Sequence, residues 1–253
     1  MDTSQLPFEV SEPIRELIKQ VEQLARTEIR LREGEFNRFD QPASAQGGLD
    51  HWMPHATVNR LRRNEFDEHA LAHELLHIKR FLGGAPILET PDALTGINSV
   101  DAENRKAFVD DVTNQIEHIA IFPELEKFGF DPHENVERWK AHQIESLRDP
   151  HGKQFGPVDR SWLAIKVGLG EFLGRSVEMK AAYREAIRQV APAAIDQGDE
   201  IAGLIRRYGV AKPYNLRRLY EHMLRTAEVP RRALLLKELN FSSKNETLTP
   251  FPP

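Results

Sequence analysis

The run Asp67-Glu68-His69-Ala70-Leu71-Ala72-His73-Glu74-Leu75-Leu76-His77-Ile78 carries the pattern H-E-x-x-H, at His73, Glu74 and His77, within a segment of strong helix formers. Positions i and i+4 of a helix lie one turn apart on one face. Both imidazoles can therefore reach one metal ion, with Glu74 directed at the same place. A chain with this content of His and Glu would produce the pattern by chance about 0.04 times. Phe66, Ala70, Leu71, Leu75, Ile78 and Leu82 supply an apolar stripe to hold the helix against a core. Gly83-Gly84 end it, with Lys79 and Arg80 in the last turn.

This spacing suits a zinc hydrolase. Zn2+ accepts neutral imidazole nitrogens and, with a position left open, lowers the pKa of bound water to roughly 7, so that Glu74 can take its proton as general base. Two histidines hold zinc weakly, so a third protein ligand is required from another element. Asn114-Gln115-Ile116-Glu117-His118 offers it, with Asn114, Glu117 and His118 at i, i+3 and i+4 of a second helix. Glu117 is the preferred third metal ligand. His118 is then a catalytic group donating to the developing oxyanion, or a substitute ligand. His51, His55 or a tyrosine from the C-terminal part are further oxyanion candidates. His69 precedes His73 by one turn and is left out of the metal set, whereas Asp110 and Asp111 are expected to orient the ligating imidazoles.

The composition, 40% hydrophobic and 29% charged residues in a 253-residue chain, is that of an ordinary globular protein with room for one large domain or two small ones. No apolar run approaches the ~18 residues that a membrane helix needs. The N-terminus lacks a basic start followed by an apolar core, so the expected location is cytoplasmic. With no cysteine, neither disulfides nor thiolate ligands exist. The net charge of −5 is uneven, because residues 201–253 hold 10 Lys and Arg against 4 Asp and Glu, which leaves −11 to the first 200 residues. Solvated surface arginines are the simpler account of that asymmetry.

Along the chain, residues 12–33 read as an amphipathic helix with Ser11 as N-cap, Pro13 in its first turn and Ile14, Leu17, Ile18, Val21, Leu24, Ala25 and Ile29 on its apolar face. Residues 34–50 read as a loop. The alternation around residues 56–61 reads as a strand to which an extended substrate could add as a neighbour. An irregular region to about Val100 precedes a long helix from Asp101 or Ala102 to Phe122, stopped by Pro123. A turn at 128–132, a helix at 134–147, a break at 149–152, and helices near 159–190, 193–208, 213–226 and 230–238 follow. The proline-rich tail 245–253 is expected to be loosely ordered.

The motif together with a downstream Glu on a second helix resembles the gluzincin branch of the zincin metallopeptidases. The resemblance rests on His73, Glu74, His77 and Glu117 and covers residues 50–125. Size and element order are also similar to the ImmA/IrrE-like cytoplasmic proteases. It implies an α+β, predominantly helical fold: a zincin-like core in residues 1–130, with a small sheet beside the motif helix, and a helical C-terminal region in residues 131–253. It also implies a zinc metallopeptidase of narrow specificity acting on a protein or peptide substrate. The metzincin continuation is absent, since Arg80 replaces its Gly and Gly83 its last His.

Two other classes compete. Ile205-Arg206-Arg207-Tyr208-Gly209-Val210 and Leu216-Arg217-Arg218-Leu219-Tyr220 loosely resemble a helix-turn-helix, which would make the chain a regulatory or nucleic-acid-associated binding protein. An ordinary helical hairpin is the simpler expectation, and a nucleic-acid partner the lesser one. A purely structural zinc would call for four ligands, commonly cysteines, and has the least support.

Overall fold

A computed structural model describes residues 10–34, 45–50, 53–59, 68–90, 99–148, 157–229, 234–240 and 243–251. In chain order the elements are α1 (Glu12–Ala25), β1 (Arg30–Gly34), β2 (Ala45–Asp50), β3 (Met53–Asn59), α2 (Glu68–Leu82), β4 (Ile87–Glu89), α3 (Ser99–Lys127), α4 (His133–Arg148), α5 (Pro157–Gly170), α6 (Val177–Val190), α7 (Ala193–Tyr208), α8 (Pro213–Thr226), β5 (Leu235–Asn240) and β6 (Asn245–Pro250). The chain is therefore predominantly helical, with two small sheets. No helix among the described residues is long and apolar enough to cross a membrane.

The contacts divide the chain into two compact units. One comprises Met1–Ala85, Pro123–Phe130 and Leu239–Glu246, the other Pro86–Phe122, Asp131–Glu238 and Thr247–Pro253. This differs from a cut at residue 130, because 86–122 goes with the later helices. The reason lies in its partners: Trp162 Nε1 donates to the Asp111 carboxylate, and β4 pairs with β5, where Lys237 meets Glu89 at 3.0 Å.

In the first unit, Ile14, Leu17, Ile18 and Val21 recur at helical spacing and are buried on α1. They face α2, whose Leu71, Ala72, Leu75, Leu76 and Ile78 are at most 2% exposed. Lys79 Nζ donates to Gln20 Oε1, and the Ser11 N–H donates to the Glu68 carboxylate, so both ends of α2 are tied to α1. Ser11 is the N-cap, but its hydroxyl makes no cap bond. The expected helix to residue 33 stops at Arg26, which adopts φ 53°. The Ile29 N–H then donates to Glu22, and β1 begins.

The first sheet has the order β1-β3-β2, with β3 parallel to β1 and antiparallel to β2. The predicted strand is thus present but central. Both its edges are occupied, and no substrate can add to it as a neighbour. Residues 45–50, read as loop, are strand β2. α2 packs across β2 and β3, which sets the motif helix beside the sheet. Phe66 and His51 lie outside the described residues.

α3 starts near the expected residue but runs through Pro123 to Lys127, one turn beyond its expected stop. A proline in a helix interior forfeits one hydrogen bond, and the buried Ile121, Phe122 and Leu125 around it outweigh that loss. The expected 159–190 helix is broken into α5 and α6 by a turn that one face of α4 grips. His133 Nδ1 accepts from Gly174 N–H, Glu137 Oε1 accepts from the Arg175 and Ser176 N–H groups, and Lys140 Nζ donates to the Gly170 and Leu173 carbonyls at 2.9 and 2.7 Å. Burial pushes the Lys140 ammonium down to about 8. Residues 230–233 fall outside the description, but 235–240 form β5 rather than helix, and β6 occupies the expected loose tail, in the order β4-β5-β6. A strand was chosen because β4 offers Leu235–Lys237 a pairing edge, which local propensity cannot anticipate.

The two backbone N–H bonds hold the Glu137 carboxyl below its usual value. A folded-state value below the unfolded one means stability that is present above about pH 4.5 and lost as pH falls through the folded value. Urea titrations between pH 3 and 7 should find Glu137→Gln less stable than wild type at neutral pH, with the gap closing in acid. A gap independent of pH would show that the grip on the turn is not ionic.

Candidate metal centre

The period of α2 places His73 and His77 one above the other. Their ring centroids are 4.6 Å apart and nearly perpendicular. His77 is buried (8% exposed), while the His73 and Glu74 side chains retain 25% and 18% of their exposure. His77 also stacks on Phe81, one turn on. His73 Nδ1 and Glu74 Oε1 lie 3.1 Å apart. A proton on Nδ1 shared with this carboxylate leaves the Nε2 lone pair for a metal, the arrangement by which carboxylates orient ligating imidazoles.

His118 of α3 joins the pair. One ring nitrogen from each of His73, His77 and His118 lies within 4.8 Å of the other two. Three imidazole nitrogens on a tetrahedral zinc at ~2.0–2.1 Å would stand roughly 3.3 Å from one another, so small rotamer adjustments close the group on an ion. His118 is half-buried and stacked on Phe122 at 5.1 Å, which limits its rotation. The donor set consists of neutral nitrogens, suits a borderline-soft divalent cation, and fits zinc among several first-row metals.

Glu117, the preferred third ligand in the sequence, is not in this group. It is wholly buried at 0% exposure, between Thr113 and Ile121 on the inward face of α3. Glu117 and His118 are successive residues pointing about 100° apart on α3, and it is the His118 ring that lies near His73 and His77. The ring near the pair is that of His118, the substitute ligand and oxyanion donor of the sequence reading. His69, left out of the set, stacks flat on Phe130.

Asp110 and Asp111 do not orient the imidazoles. Asp110 is exposed, and Asp111 accepts from Trp162 Nε1 at 2.6 Å and Gln115 Nε2 at 2.9 Å, with Lys166 Nζ at 3.5 Å. The carboxylate that meets His73 is Glu74, at 3.1 Å, which the sequence assigned only to proton transfer. Of the oxyanion candidates, His55 sits on β3 in register with Gly48, its Nδ1 buried without a hydrogen-bond partner among the described residues. Tyr183 and Tyr220 are core residues, 2% and 0% exposed.

Comparison with known protein families, curated proteins and solved structures found no match to this chain.

Proposed function

We propose that the chain is a zinc-dependent hydrolase cleaving peptide bonds, with His73, His77 and His118 holding the ion and Glu74 handling the proton. The observation that carries this reading is the convergence of three imidazoles beside a carboxylate in a chain without cysteine. Three protein ligands leave a coordination position for solvent, whereas a structural zinc is normally closed by four. Bound zinc supplies Lewis acidity and an acidified water. Glu74, partly exposed next to His73, would take up the proton released at this position and return it to the leaving amine. His77 and His118 keep the donors fixed through their Phe81 and Phe122 stacks. A narrow, protein-directed specificity follows the zincin resemblance of the motif.

The test is Glu74→Gln in the full-length protein. Zinc content by elemental analysis should stay stoichiometric, while cleavage of a fluorescence-quenched peptide library falls by about 10²–10⁴-fold, the span of general acid–base catalysis. Cleavage retained in that variant refutes the base role, and a zinc-loaded wild type that cleaves no peptide refutes the peptidase.

The contact between Glu74 and His73 favours one alternative, in which Glu74 serves only to orient a ligand and the chain is a metal-responsive binding protein. In that case Glu74→Gln weakens zinc binding by 10–100-fold and no hydrolysis is found in either form.

A further inference from the structure

The C-terminal helical hairpin bears a surface that the metal centre does not use. Between Ile201 and Tyr220 the chain holds five cations, Arg206, Arg207, Lys212, Arg217 and Arg218, and no carboxylate. All five are exposed, and among the described residues none pairs with an acid. α7 and α8 pack together, joined by the turn Gly209–Lys212, and Asn215 Nδ2 donates to the Tyr208 carbonyl, so the turn is braced.

On α8 the residues divide cleanly. Leu216, Leu219, Tyr220, Met223 and Leu224 are buried. Tyr214, Arg217, Arg218, Glu221 and Arg225 recur at i, i+3, i+4, i+7 and i+11 on the opposite face, where the Glu221 carboxylate is taken up by Arg225. This face runs about 16 Å along the helix at 1.5 Å per residue. Tyr214 is 69% exposed, with Lys212 Nζ 5.8 Å from its ring.

We propose that this face of α8, with the basic turn that leads into it, binds duplex nucleic acid through its phosphate backbone. Charge and composition favour that partner over an acidic protein. Protein–protein interfaces centre on buried apolar anchors, and Tyr214 is the one large hydrophobic residue exposed on this hairpin among the described residues. Nucleic-acid interfaces are polar and strongly positive, and four of the five cations are arginines, whose planar forks bind phosphate oxygens in pairs. A helix with one such face fits a major groove about 12 Å wide. The sequence alone favours an ordinary hairpin over a nucleic-acid partner, because it does not show that the cations lack carboxylate partners or that those of α8 share one side of the helix.

The test is fluorescence anisotropy of the full chain with a labelled 20-base-pair random duplex. With four phosphate contacts, log K should fall with log salt at a slope of about −3.6, a loss of roughly 150-fold between 50 and 200 mM. The double variant Arg217→Glu/Arg218→Glu should bind at least tenfold more weakly, with a slope shallower by about 2. Its circular dichroism and zinc content should match wild type, because both side chains are exposed. Absent or salt-insensitive binding, tighter binding to a single strand, equal competition by polyglutamate, or an unaffected double variant would each overturn the proposal. None of these outcomes bears on the metal centre.

Discussion

His118→Ala is expected to lose its zinc on dialysis, while Glu117→Gln, altered one residue away, keeps it. Losing an outer partner of a ligand costs 10–100-fold in affinity, and losing one of three ligands should exceed ~100-fold. The Glu117 carboxylate is enclosed by the inward face of α3, so its amide replacement changes the packing of that helix and not the donor set. Elemental analysis of both variants, with circular dichroism to check the fold, decides the matter. Zinc retained without the His118 ring, together with zinc lost from Glu117→Gln, would return the carboxylate to the metal and restore the gluzincin ligand set.

The largest stability effect is expected at Gly198, where α5 and α7 cross. A Cβ at Gly198 would lie 2.5 Å from Val167 Cβ, and one at Gly168 would lie 2.5 Å from Ile201 Cγ2, so the two helices approach through bare backbone on both sides. Intrinsic propensity favours Ala over Gly by up to ~1 kcal/mol in a helix, but it is opposed by a clash that must part the helices or twist Val167 off its rotamer. Gly198→Ala should therefore destabilise by about 2–3 kcal/mol. Gly203, five residues along the same helix, has nothing within 4 Å of its added Cβ. Gly203→Ala should instead gain about 0.5–1 kcal/mol, since only the propensity term remains. Paired denaturant melts will show opposite signs if packing governs the first site. Equal signs would mean that the helices separate at no cost.

These two sites differ in how much of them is visible in the chain. Gly198 and Gly203 both sit in a helix-forming run, and nothing adjacent in sequence separates a crossing point from an open surface. The α2 stripe was legible in part: Leu71, Leu75, Ile78 and Leu82 are buried as their period predicts, whereas Ala70 is half-buried and Ala72, Leu76 and His77 widen the buried face. The α1 stripe was equally clear, yet its end was misplaced, because the Glu22 carboxylate that receives the Ile29 N–H is a contact made only after folding. The break between α5 and α6 was hidden for the same reason: Gly170 and Gly174 are weak signals until His133, Glu137 and Lys140 close on them. β5 and β6 follow that rule too, since a strand needs a neighbour and the neighbour of β5, at Ile87–Glu89, is about 150 residues away.

The sequence by itself determined that the His73 and His77 rings stand together with Glu74 beside them, since a helical period of 3.6 residues converts their spacing directly into a shared face. It determined the helical character and the basic C-terminal segment as well. Only the tertiary structure brings His118, and not Glu117, within 4.8 Å of a ring nitrogen of each histidine of that pair. The physical reason is that the rotation of α3 about its axis, about 100° per residue, is set by which of its side chains the second unit buries. That information is distributed over Phe108, Val112, Ile116 and their packing partners, and no local pattern contains it.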